Sequence, residues 1–158
     1  NGFCPVVKFI ENEVNVALGT DSAASNNTLD LFSEIKSASL LAKAVSGDAA
    51  SLDAHAALRM ATINGAKALA WDNEIGSLEL GKQADIIAVK IDSISQQPLY
   101  NPASQLVYTN SGSQVSHSWV AGKMLLENRK LSTINERSLI QTTEQWRTKI
   151  HPNHERFD

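Results

Sequence analysis

The chain has 158 residues, of which 42% are hydrophobic and 20% are charged, and its formal net charge is −3. This composition is typical of a globular domain with a sizeable core, and the small negative charge argues against nucleic-acid binding, which needs clustered lysines and arginines. No stretch approaches the ~20 apolar residues of a membrane helix, and a single cysteine, Cys4, excludes an internal disulfide framework. The first residues have neither a basic region nor a long apolar run, so we expect no signal peptide and take the cytoplasm as the default compartment.

The beginning of the chain predicts a short helix followed by a strand. The helix covers residues 6–10, and a polar turn follows at residues 11–13. Residues 14–18, with the sequence VNVAL, form a short apolar run that ends at Gly19, which is typical of a buried parallel strand. A loop of small polar residues comes next, and Asp21 lies in it, just beyond the carboxyl end of the predicted strand.

Three helical segments follow this loop. Asn27 or Thr28 is the expected N-cap of the first, which ends at residues 46–48. Residues 51–61 and 64–70 predict the other two, and their many alanines suit close packing on a neighbouring surface. The apolar residues of the first helix recur at spacings of three and four and predict one buried stripe: Leu31, Ile35, Ala38, Ala42 and Val45.

The second half of the chain predicts antiparallel strands and a final helix. Residues 86–89, IIAV, follow a glycine-containing turn and are typical of a strand. Residues 91–110 contain two prolines and few periodic apolar residues, so we expect a loop there. Residues 115–129 predict a β-hairpin, residues 138–150 a closing helix and residues 151–158 a polar tail.

The order of these elements indicates a piece of a larger α/β architecture rather than an intact domain. The strand at residues 14–18 has no parallel neighbour in the sequence, and an isolated strand is not stable. We therefore expect an apolar face to be exposed on the helices between residues 31 and 70, where the strands of such an architecture would pack.

Asp21 is the strongest candidate for a chemical role. Barrel and open-sheet enzymes place catalytic groups in the loops just beyond the carboxyl ends of their strands, and Asp21 has that position. The alternative is that Asp21 caps a turn or the following helix, which is a common role for aspartate. The position alone leaves both roles open.

The histidines and the cysteine do not form a recognisable site. The sequence contains no HxH, HExxH, CxxC or GxSxG motif and no glycine-rich phosphate loop. His55 is expected to pack or to lie at the surface, and His117, beside Trp119 in the hairpin, to pack across the strands. His151 and His154 are expected in a solvated tail. Cys4 is expected to be a small buried hydrophobic residue rather than a reactive thiol.

Three runs of sequence together resemble one known family. They are GFCPVVKFIENEVNVALGTDSAASNNTLDLF, LLAKAVSGDAASLDAHAALRMATINGAKALAW and IGSLELGKQADIIAV. In this order they resemble the C-terminal part of amidohydrolase-superfamily deaminases, in particular the 5′-methylthioadenosine/S-adenosylhomocysteine deaminases and their chlorohydrolase relatives. The resemblance extends from Gly2 to about Ile150, and its motifs are more specific for the superfamily than for the substrate.

The resemblance implies an α/β fold that is the C-terminal fragment of a metal-dependent (β/α)8 barrel, with part of a small accompanying β-sandwich. Residues 1–72 would be the last strand and helices of the barrel, residues 73–135 the C-terminal share of the sandwich, and residues 136–158 a closing helix and polar tail. Such a barrel takes ~250 residues. The family's metal-binding histidines and catalytic glutamate would therefore lie in a missing N-terminal part of the same polypeptide.

By the same resemblance, Asp21 is both a catalytic residue and a ligand of a divalent metal, with Zn²⁺ as the expected ion. The implied reaction is deamination of an adenosine-type nucleoside, in which metal-activated water attacks the carbon that bears the amine. The isolated chain is expected to be inactive, and a homo-oligomer is left open. One alternative is a triazine chlorohydrolase or aminohydrolase, or a guanine or cytosine deaminase. An alternative of another class is a non-catalytic scaffold or interaction fragment.

Overall fold

The computed structural model describes residues 2–109 and 111–150, with most helices in the first half and an antiparallel sheet in the second. The α-helices are α1 (Val6–Glu11), α2 (Leu31–Ser46), α3 (Ala54–Met60), α4 (Ile63–Ala68), α5 (Pro102–Tyr108) and α6 (Glu136–Ile150). The strands are β1 (Ile86–Val89), β2 (Val115–Val120), β3 (Lys123–Glu127) and β4 (Lys130–Leu131), paired in that order. Among the described residues, no helix has the length and apolar character needed to cross a membrane.

Residues 14–18, for which the sequence predicts a strand, are not part of the described sheet. A strand needs the backbone groups of a neighbouring strand, and none is paired with this segment in the described part of the chain. Its backbone bonds to the helices instead. The Leu18 N–H donates to the carbonyl of Met60 at 3.0 Å, and the Asn64 side-chain amide donates to the carbonyl of Val16 at 3.0 Å.

Helix α2 begins later than the sequence predicts. Its N-cap is Asp30, whose carboxylate accepts the Phe32 N–H at 3.0 Å, so the prediction of Asn27 or Thr28 as the cap is wrong. All three residue types make good N-caps, and only the position of the first helical turn decides among them. The predicted end is confirmed, because Gly47 adopts the left-handed conformation (φ +71°) of a helix C-cap.

The core lies where α2, α3 and α5 meet. Its buried residues come from these helices and the turn before α3: Ile35, Ala42, Leu52, Ala54, Ala57, Met60, Ala103 and Val107. The predicted stripe of α2 is confirmed at Ile35 and Ala42, whereas Val45 is exposed. A fully buried hydroxyl, that of Ser39, joins the three helices, because it donates to the Leu52 carbonyl at 2.9 Å and shares a 2.8 Å hydrogen bond with the Tyr108 hydroxyl.

Helix α5 corrects the expectation of a loop over residues 91–110. Asn101 is its N-cap and accepts the Ser104 N–H at 3.0 Å, while a proline occupies the first turn, where it costs no hydrogen bond. The helix is short and buries only Ala103 and Val107. Two apolar positions one turn apart give too little periodicity to indicate a helix in the sequence.

The sheet matches the predicted strand and hairpin. Strand β1 has the predicted bounds, and β2 and β3 form the hairpin; the short β4 was not predicted. His117 and Trp119 lie on one face of β2, opposite Ala88 and Ile86 of β1. Their rings stack with centroids 5.6 Å apart and planes 9° apart. This stack lies along one strand, so it does not test the cross-strand packing expected for His117.

Much apolar surface on the helices is exposed. In α2 the side chains of Leu40, Leu41 and Val45 are 47–49% exposed, as expected for the helices between residues 31 and 70. The helix predicted over residues 138–150 is present as α6, and all its residues are exposed, including Trp146. The predicted polar tail at residues 151–158 lies outside the described residues.

Replacement of Gly76 by alanine should strongly destabilise the chain. Gly76 has φ +90°, and an added Cβ would lie 2.7 Å from the Ala66 Cβ and 3.0 Å from the Ile63 Cα, so backbone strain and steric overlap add. We expect a loss of about 3 kcal/mol in the free energy of unfolding. Gly81→Ala is the matched control, because Gly81 has φ +91° with open space around it, and should lose about 1 kcal/mol. Equal losses in urea unfolding would contradict the packing described for Gly76.

Candidate functional site

Asp21 lies in the loop that joins residues 14–18 to α2. Its backbone adopts the left-handed conformation (φ +58°), which aspartate tolerates better than most residues. Its side chain is exposed. The structure therefore presents the Asp21 carboxylate at the surface of the loop, directly after the segment attached to α3 and α4.

Two hydrogen bonds fix the orientation of this carboxylate. The Ser22 N–H donates to Oδ1 at 2.7 Å, and the Ser25 hydroxyl donates to Oδ2 at 2.7 Å. The bond from Ser25 and then the bond from Ser22 hold the pKa of Asp21 below its ordinary value, because both stabilise the ionised form. Asp21 is therefore an anion at neutral pH.

These bonds correspond to the turn-capping role that the sequence leaves as an alternative to a chemical one. The two roles are compatible. Each carboxylate oxygen has about two acceptor positions, and the bonds from Ser22 and Ser25 occupy one on each oxygen. Carboxylates that bind metals are commonly oriented by such hydrogen bonds from neighbouring groups.

Asn26 is a member of this loop that the sequence reasoning did not single out. Its half-buried side-chain amide donates to the Thr20 carbonyl at 3.0 Å and to Oε1 of Glu34 at 2.7 Å. Its own N–H donates to the Ser22 carbonyl at 2.9 Å. No sequence motif indicates these bonds, since they depend on how the loop folds back against the first turn of α2.

Asp21 can supply one ligand of a metal site, but the described residues do not supply the other ligands. An ionised carboxylate oxygen is a common ligand of Zn²⁺ and of harder divalent ions. Within residues 2–109 and 111–150, however, no group of three or more histidine, cysteine, aspartate or glutamate side chains is arranged to hold a metal. A complete set of ligands would have to include groups from outside the described residues.

The other residues considered from the sequence do not join Asp21. His55 is exposed on α3, and the His117 ring is half-buried in the sheet, where its Nδ1 lies 2.9 Å from the Ser116 hydroxyl oxygen. Cys4 is exposed, so the expectation that it is buried is wrong. The short α1 that follows it buries none of its residues and provides no core around the thiol. His151 and His154 lie outside the described residues.

Comparison with known proteins gives one consistent family. Residues 1–125 match the amidohydrolase family. The chain is 51% identical over 150 residues to the 5-methylthioadenosine/S-adenosylhomocysteine deaminase of Teredinibacter turnerae, an alignment that covers 95% of this chain and 34% of that protein. The chain belongs to the amidohydrolase family.

Solved structures agree with this assignment. A zinc-bound adenosine deaminase from Xanthomonas campestris superimposes with a TM-score of 0.92 at 46% identity, covering 96% of this chain and 34% of that one. A zinc-bound atrazine chlorohydrolase from Arthrobacter aurescens gives a TM-score of 0.83 at 26% identity, covering 91% and 32%. The fold is that of an α/β piece of an amidohydrolase, and the chain spans about a third of the length of the relatives it matches.

Replacement of Ser25 by alanine should raise the pKa of Asp21 toward its ordinary value, because the largest stabilisation of the anion is removed. The pKa can be followed by carboxyl carbon NMR during a pH titration of the metal-free chain. Because the folded-state pKa is lowered, the stabilisation from this bond is present above the ordinary pKa and is lost as the pH falls through the lowered one.

The matched control for this measurement is Ser33→Ala. It removes a similar hydrogen bond, 2.9 Å long, from a serine hydroxyl to the carboxylate of Asp30, and it should leave the titration of Asp21 unchanged. An Asp21 pKa that does not move in Ser25→Ala, or that moves equally in both variants, would contradict the assigned cause.

Proposed function

We propose that this chain is the C-terminal part of a metal-dependent aminohydrolase that deaminates an adenosine-type nucleoside, and that Asp21 is its catalytic, metal-contacting carboxylate. In this proposal residues 1–72 belong to a (β/α)8 barrel, residues 73–135 to a small β-sandwich and residues 136–158 to a closing helix and tail. The remaining ligands and the catalytic glutamate belong to a preceding part of the same polypeptide.

The observation that carries the proposal is the state of the Asp21 carboxylate. It is ionised, exposed and held by two hydrogen bonds at the end of a segment that is attached to the helices. A ligand that is already oriented before a cation binds loses less conformational entropy on binding than a mobile one.

The role of Asp21 in the reaction follows from its charge and position. A bound divalent ion, with zinc as the expected metal, supplies a Lewis acid that makes water acidic enough to act as a nucleophile at neutral pH. Asp21 would help to hold the cation through its carboxylate and would accept a proton from the attacking water. It would then return this proton to the amine, which leaves as ammonia, while the second proton of the water moves to the neighbouring ring nitrogen and the ring carbon becomes a carbonyl.

The substrate class is drawn from the relatives. The relative from Teredinibacter turnerae, which is 51% identical, is named for 5-methylthioadenosine and S-adenosylhomocysteine, whereas the atrazine chlorohydrolase is only 26% identical. We therefore propose a purine nucleoside with a modified 5′ position rather than a triazine.

A substrate panel tests the class of reaction. The full-length polypeptide, loaded with zinc, should release ammonia from 5′-methylthioadenosine and S-adenosylhomocysteine at least tenfold faster, in kcat/KM, than from guanine, cytosine or an aminated triazine. A faster reaction with a triazine or with guanine would show that the proposed substrate class is wrong and would favour those substrates instead. The absence of any hydrolytic activity would favour a scaffold or interaction role instead.

Replacement of Asp21 by asparagine in the full-length polypeptide should lower kcat by at least about 100-fold, because the amide carries no charge and cannot accept the proton. Asp92→Asn is the matched control, since Asp92 is exposed and makes no side-chain hydrogen bond with the described residues. Both variants should keep the circular dichroism spectrum of the parent. If Asp21→Asn retains turnover near that of Asp92→Asn, the proposed role of Asp21 is wrong.

A further inference from the structure

The loop that carries Asp21 is held together by hydrogen bonds between its own residues. The Ser25 and Asn26 N–H groups both donate to the Ser22 carbonyl, at 3.1 and 2.9 Å, and form a tight turn. The Asn26 side chain then donates to the carbonyl of Thr20 at 3.0 Å. This last bond joins the residue before Asp21 to the residue at the end of the turn, so the two ends of the 21–25 segment are tied together.

The same amide also fixes the loop to the helices. Its second donor bond reaches Oε1 of Glu34 at 2.7 Å, and Glu34 lies in the first turn of α2. That turn is itself held by the Asp30 N-cap, and Ile35 anchors it in the core at 3% exposure. The Asn26 amide therefore links the loop to a helix turn that is anchored in the core.

Asn26 is more buried than the carboxylate it supports. Asp21, Ser22 and Ser25 are exposed, whereas Asn26 and Glu34 are half-buried. The bonds from Ser22 and Ser25 set the orientation of the carboxylate relative to the loop, but they do not set the position of the loop relative to the helices. Among the described residues of this loop, only the Asn26 amide bonds both to the loop itself, at the Thr20 carbonyl, and to a helix, at Glu34.

We propose that Asn26 is a positioning residue for the reaction: by bonding at once to Thr20 and to Glu34, it holds the Asp21 carboxylate at the distance from the substrate that proton transfer requires. This inference rests on the proposed function. A displacement of about 1 Å in a reacting group can cost about 100-fold in rate while binding of the substrate is little changed.

The first test compares Asn26→Asp with Asn27→Asp in the full-length, zinc-loaded polypeptide. N26D removes both donor bonds and places a carboxylate beside Glu34, so kcat for 5′-methylthioadenosine should fall at least tenfold while KM changes less than threefold. N27D makes the same chemical change at an exposed neighbour that forms no side-chain hydrogen bond with the described residues, and both constants should stay within twofold of the parent. A kcat for N26D within twofold of that for N27D would overturn the inference.

The second test is rescue. In N26D/E34Q the new amide at position 34 can donate to the new carboxylate at position 26, so the bond between loop and helix is restored with reversed polarity. The kcat of the double variant should be at least threefold higher than that of N26D. The E34Q variant keeps an acceptor for Asn26, so its kcat should lie within threefold of the parent value. A double variant no more active than N26D would mean that Asn26 acts through general folding and not through this contact.

A third measurement does not depend on activity. Hydrogen exchange of the amides of residues 22–26 should be at least fivefold faster in N26D than in N27D, and equal exchange would overturn the inference whatever the substrate. If the parent polypeptide shows no deaminase activity, the proposed function fails, and the exchange comparison alone then decides whether Asn26 holds the loop.

Discussion

The attachment of residues 14–18 to the last residue of α3 and the first turn of α4 is the contact on which the rest of the site depends. Buried or half-buried backbone groups need hydrogen-bond partners, and this segment finds them on helices instead of on a strand. The Leu18 N–H bonds to the carbonyl of Met60, which is 2% exposed, so the segment is tied directly to the core. The Asn15 side-chain amide donates to the Asn64 carbonyl, and the Asn64 side-chain amide donates to the Val16 carbonyl, at 3.0 Å each. Asp21 follows three residues after Leu18, and its loop therefore leaves the core from a fixed point.

The other end of the loop is equally well defined. Asp30 caps α2 and also accepts the hydroxyl of Ser33 at 2.9 Å, and its carboxylate lies against Gly112. A Cβ at Gly112 would lie 2.7 Å from the nearer oxygen of Asp30, so the absence of a side chain there lets the segment before β2 approach the helix. The loop thus runs between two anchored ends, with an exposed acid in the middle. Groups held on rigid elements are suited to act on a ligand with defined geometry.

The surfaces left open by the fold are consistent with a chain that spans about a third of its relatives. The exposed leucines of α2 and four side chains of α6, Leu139, Ile140, Trp146 and Ile150, are apolar surface that a globular protein normally covers. The core formed by α2, α3 and α5 is small, and the sheet adds little to it.

The sequence by itself determined the elements whose signals are local. The periodicity of α2, the glycine at its end, the strand at residues 86–89 and the hairpin all follow from spacing and turn residues within a few positions, and Asp21 could be singled out for the same reason. Only the tertiary structure decided the features that need a distant partner. Residues 14–18 have a strand-like pattern but no neighbouring strand to pair with, α5 is stabilised by burial of two residues against α2 and α3, and the Asn26 amide finds its acceptors on Thr20 and Glu34 only after the loop has closed. A hydrogen bond or a buried contact depends on both partners, and a pattern along the chain records only one of them.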